Sequence, residues 1–223
     1  MAVPMTEDEA AVGATHRFHD ANYAADWAAR FNPAGSKETL FQEMIRLLSA
    51  ETPPPARVVE LGIGPGYFAE RMLGALPSAS VTGVDYSMPM IGMAGKRLSG
   101  FSERVLFRQG DLLIPESALS DLEGADAVVS TWTLHDLGGE EATARVYWAV
   151  KKILRSGGLF LNGDFVKPCG TTQNYESGRF PIARHLEILA CEGFKSSKCL
   201  FEFETELNDA KPWQNYALIE ART

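Results

Sequence analysis

Val58-Val59-Glu60-Leu61-Gly62-Ile63-Gly64-Pro65-Gly66-Tyr67 is the stretch on which the fold turns. An apolar pair ends in an acid, three glycines alternate through a turn, and Phe68-Ala69-Glu70-Arg71-Met72-Leu73 reads as the opening of a helix. A strand, a tight loop and a helix start leave backbone N–H groups facing whatever lies against the loop. Glycines remove the Cβ atoms that would hold a ligand off the backbone. Spacing then separates two ligand classes. A dinucleotide fingerprint, G-x-G-x-x-G, needs its third glycine at position 67, where this chain has Tyr67, a ring that suits a pyrophosphate poorly.

Outward from the loop, strand and helix patterns alternate. Residues 80–85, Ser80-Val81-Thr82-Gly83-Val84-Asp85, read as a second strand ending in an acid, and Ser87-Met88-Pro89 opens a helix. Residues 105–109 form a third strand before Gly110-Asp111-Leu112, and residues 126–131 a fourth, ending at Thr131 and Trp132. A helix over about 139–154, a turn at Arg155-Ser156-Gly157-Gly158 and a fifth strand to Phe165 follow. Residues 167–178 lack periodicity and read as a loop suited to substrate contacts. A helix over 180–192 carries His185, and two β-type runs, 194–205 and 213–222, form a closing antiparallel hairpin.

Ahead of the first strand, residues 1–15 read as frayed. Phe18, Tyr23, Trp27 and Phe31 recur at helical steps as far as a break at Asn32-Pro33. A second amphipathic helix spans about 37–49, and Pro53-Pro54-Pro55 ends it. The expected organisation is an N-terminal helical extension or lid over 1–52 and a ligand-binding domain over 53–223.

The pattern Glu60-Leu61-Gly62-x-Gly64-x-Gly66 resembles motif I of the class I S-adenosylmethionine-dependent methyltransferases. The likeness is close over about 57–165 and holds in outline over 180–222. It implies an α/β, Rossmann-like fold: a seven-stranded, mostly parallel sheet, helices on both faces, the last strand inserted antiparallel, and here an N-terminal helical cap. It also implies S-adenosylmethionine as cofactor. Gly62, Gly64 and Gly66 would wrap its amino-acid end, and Glu60 would anchor the ammonium. Asp85, one strand–helix–strand unit later, stands where a carboxylate meets a ribose, with Tyr86 and Met90 near the adenine. In enzymes of this kind an acid placed like Asp111 accepts from the adenine amino group while the next N–H, that of Leu112, meets the ring. Thr131 closes the cofactor set, and Tyr23, Trp27 and Trp132 are the expected substrate-binding rings, since an aromatic face attracts a sulfonium.

Methyl transfer needs alignment, exclusion of water and, for a protonated acceptor, a base. His135, in Trp132-Thr133-Leu134-His135-Asp136-Leu137 after the fourth strand, is the first catalytic candidate, and His185 the second. Several small-molecule methyltransferases resembling the quinone C-methyltransferases carry a Leu-His pair here. Asn-Pro-Pro-Tyr, the mark of adenine and amide nitrogen methylation, is absent. His135 and Asp136, as neighbours on a helical turn, are not expected to face each other. Asp136 and Asp164 stand near the acids of magnesium-dependent catechol-type enzymes, but Phe165 replaces the asparagine of that family, so no metal is expected.

With 45% hydrophobic and 22% charged residues among 223, the chain is long enough for one well-buried core. A formal charge of −8 argues against a nucleic-acid or anionic-membrane surface and favours a small acceptor. Three cysteines without a C-x-x-C pair suggest neither a disulfide framework nor a zinc knuckle. The acidic start and the lack of a long apolar run suggest the cytoplasm, with a homodimer left open. The expected activity is O-, N- or C-methylation of a small molecule. The alternative is a cofactor-binding protein of the same fold that regulates, partners or catalyses a rearrangement.

Overall fold

The computed structural model describes residues 16–31 and 33–223, so the expected frayed start and Asn32 of the helix break lie outside the described residues. Two N-terminal helices, α1 (Ala21–Arg30) and α2 (Ser36–Ala50), precede the first strand, β1 (Arg57–Leu61). Then come α3 (Tyr67–Ala75), β2 (Ser80–Asp85), α4 (Met88–Arg97), β3 (Val105–Gln109), the single turn α5 (Pro115–Ala118) and β4 (Ala125–Thr131). The chain closes through α6 (Glu140–Ile153), β5 (Leu154–Phe165), α7 (Ile182–Cys191), β6 (Ser196–Phe203) and β7 (Tyr216–Arg222). Among the described residues the strands form one seven-stranded sheet in the order β3-β2-β1-β4-β5-β7-β6. Neighbours from β3 to β5 are parallel, and β7 is inserted antiparallel between β5 and β6.

Strand alternation divides the core into two layers. Val58, Ala127, Val129, Leu159 and Leu161 point toward α2, α3 and α4, where Leu40, Phe41, Met44, Phe68 and Met72 pack on them. Val59, Leu61, Val128, Phe160 and Ile219 point the other way, onto Val146, Tyr147 and Val150 of α6 and Leu189 of α7. The helix α2 therefore shares the core of the sheet.

Residues 155–158 differ from the expected turn. Ala125 pairs with Leu154 and Ala127 with Leu159, so the segment loops out as a bulge within β5, with Gly157 at φ 74°. Pairing on both flanks keeps the strand in register across the extra residues. The order of the strands reverses between β1 and β4, and a crevice opens beyond their carboxyl ends. Among the described residues no helix is long and apolar enough to cross a membrane.

Candidate active site

The loop after β1 is pinned to the end of β2. The Gly62 and Ile63 amides donate to the Val84 carbonyl at 2.8 and 3.1 Å, and the Gly64 amide donates to Asp85 Oδ2 at 2.8 Å. The three glycines sit at φ 66°, 50° and 81°, and each does a different job. A Cβ on Gly62 would lie 2.2 Å from Thr133 Oγ1, so this position admits the turn after β4. A Cβ on Gly64 would meet nothing within 4 Å, because this position faces open space. A Cβ on Gly66 would lie 3.2 Å from Leu98 Cδ1 and 3.3 Å from Ala94 Cβ. Gly66 is not in the cavity wall. It lets α3 approach α4, while Gly62 and Gly64 line the cavity.

The cavity has a volume of about 360 Å³, and Glu60, Gly62, Gly64, Asp85, Tyr86, Met90, Asp111, Leu112 and Thr131 all line it. Asp85 is held as a bracket, its Oδ1 accepting from the Ser87 amide at 2.8 Å while Oδ2 takes Gly64. Burial pushes its carboxyl above the usual range, against the pull of those two amides. Ser87 caps α4, and Asp111 accepts from the Leu113 amide at 2.8 Å in a turn of its own. Glu60 is 1% exposed, and its Oε2 has no hydrogen-bond partner. Burial, and then Asp85, drive its carboxyl well above 4.5.

Opposite the acids stands a wall of rings. Tyr23 and Trp27 line the cavity as expected, together with Phe18 and Phe31. Trp27 stacks on Phe31 at 5.0 Å, and Phe31 meets Trp132 edge-on at 5.7 Å. Trp132 lines the cavity at φ 47°, its amide donating to the Gly163 carbonyl at 2.9 Å. Two bonds tie this roof to the loops below: the Tyr67 hydroxyl donates to the Ala28 carbonyl at 2.8 Å, and the Ser87 hydroxyl to that of Phe18.

The third wall carries His135. Asp164, at the end of β5, is 2% exposed and accepts from four donors. The Leu134 and His135 amides reach its Oδ2 at 2.7 and 3.1 Å, and His135 Nδ1 and the Phe165 amide reach its Oδ1 at 2.7 and 2.8 Å. On the other side of the ring, His135 Nε2 lies 3.2 Å from Asp136 Oδ1. The expectation that these neighbours do not face each other is corrected. Residues 134–136 form a single 3-10 turn, and both side chains fold toward the cavity. Burial opposes charge on His135, but Asp136 and Asp164 outweigh it and raise the imidazole above 6.5. Asp164 is held below 3.8, because His135 and the amides overcome its burial.

His185 is not brought to this wall. It lies between α6 and α7, its Nδ1 2.8 Å from the Tyr147 hydroxyl and its ring stacked on Phe180 at 3.9 Å. Burial pulls it down to about 4, so it stays neutral in the core. Its helix turns that face inward because the core claims it, which corrects its second place among the catalytic candidates. Within the 167–178 loop Glu176 reaches the cavity, joined by Arg179 just beyond. Arg179 is buried, with Nε 2.5 Å from Glu176 and Cζ 4.0 Å above the Phe165 ring. These two residues escaped the sequence reading, because their stretch has no period to place them.

Gly178 holds the loop against the His135 turn. A Cβ there would fall 1.7 Å from the His135 carbonyl oxygen. Gly178→Ala is therefore expected to lower stability by about 3 kcal/mol as two backbones are forced apart. Urea denaturation checks this, and wild-type stability would show that the loop does not sit on that carbonyl.

Comparison with known proteins completes the site. A family model described as a methyltransferase domain matches residues 58–158. Those residues are a methyltransferase domain. The stretch runs from β1 into the bulge of β5 and so holds the glycine loop, Asp85, Asp111 and His135. Over 83 residues the chain is 42% identical to a trans-aconitate 2-methyltransferase of Methylobacterium nodulans, covering 36% of this chain and 30% of the relative. Over 144 residues the chain is 30% identical to a malonyl-[acyl-carrier protein] O-methyltransferase of Geobacter sulfurreducens, covering 61% of this chain and 48% of the relative. The chain thus matches less than half the length of either relative. In fold it resembles the solved structure "PigF with SAH" at TM-score 0.70 and 15% identity, over 92% of this chain and 60% of the other. The methyltransferase domain has the class I fold.

Proposed function

We propose that the protein is an S-adenosylmethionine-dependent methyltransferase acting on a small-molecule acceptor. The observation that carries this reading is Glu60 Oε2, a buried carboxylate oxygen without a partner in the wall of a cavity floored by open glycine backbone. Such an oxygen calls for a cation, and an amino acid's ammonium is one. Gly64, with nothing within 4 Å of its Cβ direction, leaves room for the rest of that amino acid. The cofactor, when bound, supplies a methyl group activated by a sulfonium.

The chain's own residues bind, orient and dry the site. Glu60 takes the ammonium. Asp85 already braces Gly64 and Ser87, and keeps lone pairs for ribose hydroxyls. Tyr86, Met90, Asp111 and Leu112 enclose the base, while Tyr23, Trp27 and Trp132 exclude water and wall the acceptor. His135 and Asp136 supply the polar wall where an acceptor would lose its proton. The similarity to a trans-aconitate 2-methyltransferase supports a small acceptor. The cytoplasm fits this reading.

Asp85→Ala is expected to weaken binding of S-adenosylmethionine and S-adenosylhomocysteine by roughly 10- to 100-fold, about 1–3 kcal/mol, through lost hydrogen bonds and a loosened loop. Calorimetric titration reads this. Micromolar binding by the unaltered protein supports the function, and no binding of either compound overturns it.

A further inference from the structure

Three side chains run in a line from the core to the cavity. Asp164, His135 and Asp136 have side chains 2%, 10% and 20% exposed in that order. Both nitrogens of the imidazole are occupied, Nδ1 by Asp164 at 2.7 Å and Nε2 by Asp136 at 3.2 Å. A ring held in this way has no free lone pair with which to take a proton from an acceptor. His135 and Asp136 both line the cavity, and the more exposed of the two, at the end of the line, is the Asp136 carboxylate.

We propose that Asp136 is the acceptor-facing catalytic residue, that His135 and Asp164 position it, and that the acceptor presents a proton-bearing hydroxyl or ammonium rather than a carboxylate. The inference rests on the methyltransferase reading above. As the acceptor's X–H bond breaks, its proton passes to an Asp136 carboxylate oxygen. The X electron pair forms the bond to the methyl carbon, and the pair of the broken sulfur–carbon bond stays on sulfur. Asp136 is left as a neutral acid beside the imidazolium, and solvent takes the proton when the product leaves.

The surroundings suit that task. Besides His135 and Asp164, the charged groups facing Asp136 are His16 from the N-terminal turn and Arg179 from the segment after the 167–178 loop. Arg179 is itself engaged, with Glu176 at its Nε and the Pro212 carbonyl 2.6 Å from Nη2. Its charge is largely answered before an acceptor arrives. Burial raises the Asp136 carboxyl above 3.8, partly opposed by His135, which makes it a better proton acceptor than an exposed acid. A carboxylate acceptor would meet like charge at the reacting end. The rings of Phe18, Tyr23 and Trp27 across the cavity welcome an aromatic or cationic body.

The test uses the full chain saturated with S-adenosylhomocysteine, with benzylamine, phenol and benzoate as calorimetric probes. Benzylamine and phenol are expected to bind at least ~10-fold more tightly than benzoate, and Asp136→Asn to erase that preference while Asp136→Glu retains it. Histidine-labelled nuclear magnetic resonance of the same samples should show both His135 nitrogens protonated at pH 7, and a lower titration midpoint in Asp136→Asn. Tighter benzoate binding, an unchanged preference in Asp136→Asn, or exclusion of all three probes would each overturn the assignment. Binding of S-adenosylhomocysteine, measured alongside, tests the methyltransferase reading separately.

Discussion

Asp164→Ala is expected to cost about 3–5 kcal/mol of stability, because it takes the nearer of two carboxylates from a buried imidazole and orphans backbone amides in the interior. The carboxylate takes the Leu134, His135 and Phe165 amides as well as the His135 ring. A double-mutant cycle with His135→Ala should show coupling of roughly 1–3 kcal/mol, since removing the ring leaves less charge to strand. The pH dependence follows from the sign of each shift. Asp164 lies below its ordinary 3.8, so its contribution is present at neutral pH and fades only in acid below that value. His135 lies above its ordinary 6.5, so its contribution is full below 6.5 and disappears as pH rises through the raised value. Asp164→Ala should therefore flatten the alkaline fall in urea midpoint. An equally steep fall in the variant would place the titrating pair elsewhere.

Glu60→Gln is expected to act in opposite directions on folding and on binding. A buried acid with an orphaned oxygen beside Asp85 destabilises the empty protein wherever it is ionised. Its folded value lies well above 4.5, so stability falls as pH rises from 4.5 through that higher value. The amide removes this loss, and the unliganded variant should be more stable at pH 8 by roughly 1–3 kcal/mol. Its affinity for the cofactor should fall by about 100-fold, since a charge-assisted bond to the ammonium is lost. In the unaltered protein, affinity should rise with pH, because binding an ammonium requires Glu60 to release its proton. Calorimetry in buffers of different ionisation enthalpy reads that proton directly. PH-independent binding with no proton release would remove Glu60 from the ammonium site.

Legibility followed the physics of each signal. The second and third strands could be read residue for residue, the second closing on Asp85 and the third running into Gly110-Asp111. Glu60, Gly62, Gly64, Asp85 and Asp111 converge on one cavity, because strand ends in a parallel sheet share an edge. The turn expected at 155–158 has the right residues, yet pairing with neighbouring strands absorbs it as a bulge. A helix over 180–192 could aim His185 at the pocket of His135, whereas Tyr147 and Phe180 decide where it points. The Asp136–His135–Asp164 line was hidden for another reason. It joins residues 29 positions apart through a 3-10 turn whose side-chain directions differ from those of an α-helix. Glu176, Gly178 and Arg179 belong to a loop, where only tertiary contact gives a position meaning.

Tyr67 stands where a dinucleotide-binding chain carries glycine, and its hydroxyl is also the latch on the Ala28 carbonyl of α1. The side chain that fills the third-glycine position is thus the same one that fastens the roof, so a glycine there would clear the loop and release one of the two bonds that hold the roof over the cavity.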